Sequence, residues 1–216
     1  MRTAIMNSCG IYYHNELMWD LLLSKEVFGS VALGLTFLAF IPYIQSVLTG
    51  ETRPHVFSWL IWGVGTIIVF VAQLLDGGGY GAWVIGISGC ITFGIAVLAW
   101  FKSGDTSIVR MDWVFLALAM SALPLWFITN TALSAVIVLT MVDLLGFGPS
   151  VRKAVDHPNE ENATFFVIGA VRNAFMVLAL QNYSWTTVLF PAAVGVACLL
   201  FVIVILFRRR MLASQV

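Results

Sequence analysis

The sequence predicts an all-α membrane protein, with seven transmembrane helices arranged as two parallel three-helix repeats joined by a linker helix, a three-one-three order. Three observations carry that prediction. The chain is 60% hydrophobic and only 10% charged over 216 residues, far from the roughly one-quarter charged of a soluble domain, and its mean hydropathy is +0.95. Apolar runs on the scale of a ~30 Å hydrocarbon core, which takes about 20 helical residues, recur seven times. The chain also resembles itself at an offset of 107 positions. That offset lays Phe147, Pro149, Phe166 and Asn173 on Phe40, Pro42, Trp59 and Thr66 without a gap, supported by Leu38/Leu145, Ile61/Ile168, Val64/Val171 and Ala72/Ala179. Repeats bear on the whole fold, so spacing of this kind counts even where identity is thin.

In order, residues 1–26 read as a polar to interfacial tail containing Tyr12, Tyr13, His14, Glu16, Trp19 and Asp20, with Met18 as an alternative start. The tail lacks a charged segment leading into a signal-peptide core. The first repeat covers 27–101, with runs at 27–48, 56–75 and 80–101. A charged connector and linker helix occupy 102–130, the helix itself at 113–129. The second repeat covers 131–207, with runs at 131–147, 163–180 and 185–207; the first of these can continue as helix past Pro149. A basic tail, 208–216, opens with Arg208, Arg209 and Arg210. Backbone polar groups in hydrocarbon must be satisfied within the protein, so the runs are helices; their continuity excludes the alternating pattern of a barrel.

Orientation follows from Lys and Arg near the span ends. One side carries Arg53, Lys102, Arg110, Arg152, Lys153 and the three terminal arginines, the other only Arg2 and Lys25. The N-terminus is therefore expected outside and the C-terminus in the cytoplasm, in a multi-pass protein of the cell (inner) membrane. A unit of three spans cannot be copied in the same orientation without a returning helix. The fourth run supplies it, and its Trp113, Ser121, Pro124 and Trp126 suit a linker with interfacial anchors.

With this count, an N-out orientation, and a proline followed by a polar turn and an aromatic-rich second helix, the chain resembles the PQ-loop and SWEET transporter superfamily. The resemblance covers about 27–207. It matches Pro42 and Pro149 to the family's hinge prolines, and Trp59 and Trp62 to its second-helix aromatics. The naming glutamine is Tyr43 in the first repeat and Ser150 in the second. The asparagine pair of sugar-carrying members is absent from 80–101 and 185–207, which points away from a sugar. The vitamin-importing branch shares the architecture without a clear motif match.

Two full charges fall inside the runs, Asp143 in the fifth and Arg172 in the sixth. Each costs about 2.5–3.5 kcal/mol at mid-bilayer on insertion scales, so both are expected to face protein or water. Their depths are expected to agree, about 18 Å and about 16 Å from the outer edge. That agreement permits an ion pair between neighbouring helices, either as a latch or as part of a substrate path. Trp59, Trp62, Thr66 and Gln73 share one face of the second helix, and Phe166, Gly169, Asn173 and Leu180 occupy the same places in the sixth. Around a central axis Trp62 is expected to oppose Gly169, and Thr66 to oppose Asn173, with Arg172 beside them drawing an anionic or zwitterionic group. Packing tryptophans and an interhelical asparagine are the alternative.

The expected function is therefore a small-solute transporter working by alternating access. Its substrate site comprises Trp59, Trp62, Thr66, Asp143, Arg172 and Asn173, with Pro42 and Pro149 as gating hinges, where a proline removes a helix hydrogen bond. Partners are a small polar solute and the lipid bilayer, with a homo-oligomer open and nucleic acid excluded by the lack of a basic face. His14, His55 and His157 lie outside the runs without metal spacing, and Cys9, Cys90 and Cys198 form no framework, so neither metal nor cofactor is expected. Absence of a nucleophile or phosphate-loop motif argues against an enzyme. A receptor, sensor or assembly protein on the same scaffold, acting through its basic cytoplasmic segments, is the competing class.

Overall fold

The computed structural model describes residues 24–50, 54–102, 110–156, 158 and 163–213. Most of the expected N-terminal tail, Arg53, positions 103–109 and most of the loop 157–162 lie outside the described residues.

Among the described residues, seven α-helices form where apolar runs meet capping chemistry. Helix α1, Lys25–Thr49, starts at Ser24, whose Oγ accepts from the Val27 N–H at 3.4 Å, and stops at Gly50 in the left-handed region, φ 79°. Helix α2, Val56–Leu75, is capped by His55. Helix α3 is Gly79–Phe101 and α4 is Arg110–Thr129, closed by Asn130 at φ 53°. Helix α5, Ala132–Asp156, continues through Pro149. Helix α6, Ala163–Leu178, stops two residues before the apolar run does, and α7 runs from Trp185 to Ala213. Its start is a capping box: Ser184 Oγ accepts from Thr187 N–H at 3.2 Å, and Thr187 Oγ1 accepts from Ser184 N–H at 3.0 Å.

Four helices, Lys25–Thr49, Val56–Leu75, Gly79–Phe101 and Trp185–Ala213, are long and apolar enough to cross a membrane. The apolar stretches of the other three, Trp113–Thr129, Ala132–Phe147 and Ala163–Leu178, are shorter. Polarity is inverted relative to a soluble protein. Phe101, Phe127 and Trp185 are 79%, 80% and 73% exposed, while Thr36, Gln73, Ser88, Thr92, Thr140 and Asn173 are buried. Water does not tolerate such a surface and lipid does, so the fold is that of an all-α membrane protein. Buried threonines return their hydroxyl protons to the preceding turn, Thr36 to Ala32 O, Thr92 to Ser88 O and Thr140 to Val136 O, at 2.6–2.8 Å.

Helix pairing sets the positions of everything inside. In the first half α3 lies between α1 and α2; in the second, α7 lies between α5 and α6. The halves meet through α1 on α6 and α2 on α5, and through α3 on α6 and α2 on α7, while α4 packs on α5 and α2. Renaming α1, α2 and α3 as α5, α6 and α7 reproduces the whole scheme, linker apart. The contacts within each half are close. A Cβ at Gly63 would lie 2.7 Å from the Phe93 Cα and N, and one at Gly195 would lie 3.0 Å from the Asn173 Cβ.

Candidate functional site

At one end of the bundle the α2–α3 turn meets the α6–α7 turn. Gln181 N–H donates to Gly78 O at 3.2 Å, and Asn182 Nδ2 donates to Asp76 O at 2.7 Å. Ser184 Oγ donates to the Asp76 carboxylate. Lys25, at the start of α1, donates from Nζ to Leu178 O at 2.8 Å and to the Tyr183 hydroxyl at 2.5 Å. One turn deeper, Gln73 is fully buried and donates from Nε2 to Thr187 O at 2.9 Å. The starts of α1, α3 and α7 and the ends of α2 and α6 thus share this end, which polar bonds close.

Toward the opposite end the interior is aromatic. Tyr43 packs on Trp59 with ring centroids 4.9 Å apart, and Trp59 packs edge-on to Trp62 at 5.9 Å. Trp62 in turn lies against Gly146 of α5, where a Cβ would come within 3.0 Å of the indole. Phe147, Phe166 and Phe201 form a triangle of near-perpendicular and tilted rings with centroids 4.4–6.2 Å apart. Arg208 Nε and Arg209 Nε donate to Val155 O and Pro158 O, each at 3.0 Å, tying the end of α7 to the last turn of α5 and the chain just after it.

Between these plugs sit the two charges. Arg172 reaches from α6 across to α3, where Nη1 donates to Ser88 Oγ at 3.2 Å. Its Nε is buried without a hydrogen-bond partner. The Asp143 carboxylate on α5 is close enough to act on that guanidinium electrostatically, and the Cys198 sulfur on α7 lies in the same neighbourhood. Asp143 itself is half-buried and makes no hydrogen bond among the described residues. No N–O contact within 4.0 Å joins the two.

The ion pair that their depths permit is not closed here, in keeping with the helix pairing. Helices α5 and α6 are consecutive in sequence, but each packs mainly on α7, and the two meet through the rings of Phe147 and Phe166, 6.2 Å apart at their centroids. The expected facing of Trp62 by Gly169 and of Thr66 by Asn173 also differs from the arrangement found. Gly169 meets Cys198, Thr66 turns its methyl toward Gly89 of α3, and Asn173 lies against Gly195 of α7, donating from Nδ2 to Gly169 O at 2.8 Å. The face toward the other half is displaced by one residue: Gly65 meets Leu139 of α5, and Arg172, its counterpart at the 107-residue offset, meets Ser88.

Of the six expected site residues, the structure gathers Arg172 and Asp143 within one electrostatic neighbourhood. It places Trp59 and Trp62 toward one end, and Thr66 and Asn173 in contacts with the third helix of their own halves. Pro42 lies within α1, and Pro149 within α5. Ser88, Tyr43 and the turn-to-turn cluster around Asp76 were not anticipated. Ser88 carried a faint signal as a hydroxyl among the glycines and cysteine of the third run. Among the described residues no group of three His, Cys, Asp or Glu side chains is placed to hold a metal. No family model matches the chain, and neither curated proteins nor solved structures include a match.

Proposed function

We propose that this protein is a small-solute transporter of the PQ-loop and SWEET kind, in which two triple-helix bundles, 27–101 and 131–207, rock about a site centred on Arg172. The pairing scheme supports the duplication, because each half has its third helix between the other two and the contacts between halves obey the same exchange. The observation that carries the function is the half-buried Arg172 guanidinium, its Nε fully enclosed, which leaves its own half and hydrogen-bonds Ser88 in the other. A charge costing about 2.5–3.5 kcal/mol at mid-bilayer is retained where it touches both moving bodies.

In this reading the end bearing Asp76 and Ser184 faces outward and is shut by the bonds between the two turns. The aromatic groups around Trp59 and Phe166 fill the cytoplasmic side, so the conformation is occluded. Pro42 and Pro149 are the hinges on that side, each interrupting the hydrogen-bond ladder of the first helix of its repeat. Opening one plug while the other holds is alternating access. Reconstitution in liposomes tests it. Saturable uptake or efflux of a small polar solute is expected, lost in Arg172→Met and in Asp143→Asn. Vesicles that pass none of a broad panel of sugars, amino acids, nucleosides and vitamins, with the protein folded, would contradict the proposal.

A further inference from the structure

Arg172 presents five N–H donors, and the described residues supply one acceptor, Ser88 Oγ. Its Nε is wholly buried without a partner, and so is the Oδ1 of Asn173, the next residue. An unmatched donor and an unmatched acceptor thus occur at adjacent positions of one helix in the bundle interior. Polar atoms buried in this way cost about 1–3 kcal/mol each, more for charged groups, unless something arrives to satisfy them.

The nearest anion does not do so. Asp143 lies beyond 4.0 Å of the guanidinium, yet near enough for each charge to act on the other. A closed ion pair would leave nothing for a ligand, and charges far apart would be independent sites. Two opposite poles that act on each other without meeting leave a gap that one small molecule carrying both charges can bridge, keeping the interior neutral. A simple anion would leave Asp143 uncompensated and add a net negative charge; a simple cation would do the reverse beside Arg172. Resting on the transporter reading of this interior, we infer that the substrate is a small zwitterion, its carboxylate on the Arg172 fork beside Ser88 and its ammonium on Asp143.

The test is equilibrium binding to the purified full chain, read by thermal stabilisation and titration, for matched probes: alanine and β-alanine as zwitterions, propionate as the anion, ethylamine as the cation, and glucose as a neutral control. Binding of a zwitterion at least tenfold tighter than propionate or ethylamine is expected. Asp143→Asn should remove that margin and leave propionate the better ligand, whereas Arg172→Gln should favour ethylamine. Glucose binding that neither substitution alters, propionate binding as tightly as the zwitterions, or no binding by any probe would overturn the inference, and the wild-type panel decides this even where a variant does not fold. Zwitterion binding without flux in liposomes sinks the transporter reading and leaves this site standing. Flux of a neutral solute through a protein that binds no zwitterion does the opposite.

Discussion

Replacing Arg172 by Met distinguishes an open charge from a closed latch by the sign of the stability change. On insertion scales, removing the guanidinium relieves about 2.5–3.5 kcal/mol of burial. Against this stands the loss of one charge-assisted hydrogen bond to Ser88, about 1.5–3 kcal/mol, at a separation of 3.2 Å that places it at the weak end. The balance falls between no change and about 2 kcal/mol of stabilisation. A closed buried ion pair behaves otherwise, since removing one partner costs about 3–5 kcal/mol. The two cases differ by at least about 3 kcal/mol, or roughly 6–12 °C in Tm for a chain of this size. Thermal unfolding in lipid nanodiscs, followed by fluorescence of the eight tryptophans, resolves that difference. Arg172→Met should unfold at or above the wild-type temperature while losing substrate binding. A fall of 6 °C or more in Tm would refute the reasoning and restore the latch.

Two further substitutions check the packing. Gly63→Ala forces a Cβ to 2.7 Å from the Phe93 backbone, so α2 and α3 must separate, at about 1–3 kcal/mol in unfolding stability; Gly94→Ala, with nothing within 4 Å, should be neutral or gain about 0.5–1 kcal/mol. Equal effects of the two would contradict the helix spacing. Ser184→Ala removes both the α7 cap and the bond to Asp76, and should cost about 0.5–2 kcal/mol in the same unfolding assay, whereas Ser30→Ala, whose hydroxyl bonds only Glu26 O in its own helix at an exposed position, should stay near wild type. A silent Ser184→Ala would mean the turn-to-turn bonds do not hold that end shut.

The fold was largely legible because hydropathy reports each lipid-scale run directly. Seven helices form at the seven runs, and among the described residues four of them are long and apolar enough to cross a membrane. Pairing was less legible. Consecutive helices ordinarily neighbour each other, yet α1 and α2 pack mainly on α3, and α5 and α6 mainly on α7, each pair touching directly through aromatic rings, Tyr43 on Trp59 and Phe147 on Phe166. A run of apolar residues carries no mark of which neighbour it meets.

The site shows the same limit more sharply. Successive residues on a helix diverge by about 100°, so whether Thr66 or Gly65, Asn173 or Arg172, faces the other half depends on a rotation that the sequence leaves weakly set. In water a polar stripe fixes that rotation; in lipid both faces are apolar. Arg172 and Asp143 were recognisable as interior charges from their burial cost alone. Ser88 was not, since a serine in a span is ordinary until its partner is known.

The central claim is that the interior around Arg172 is wet and positively poled in a working state. Its most direct test is a cysteine at Ser88, in a background with Cys9, Cys90 and Cys198 replaced, exposed in liposomes to water-soluble methanethiosulfonates of either charge. The account predicts modification of the folded protein, faster with the anionic reagent than with the cationic one, with the difference abolished by Arg172→Met. A cysteine there that reacts only after unfolding, or at one rate with both reagents, would contradict it.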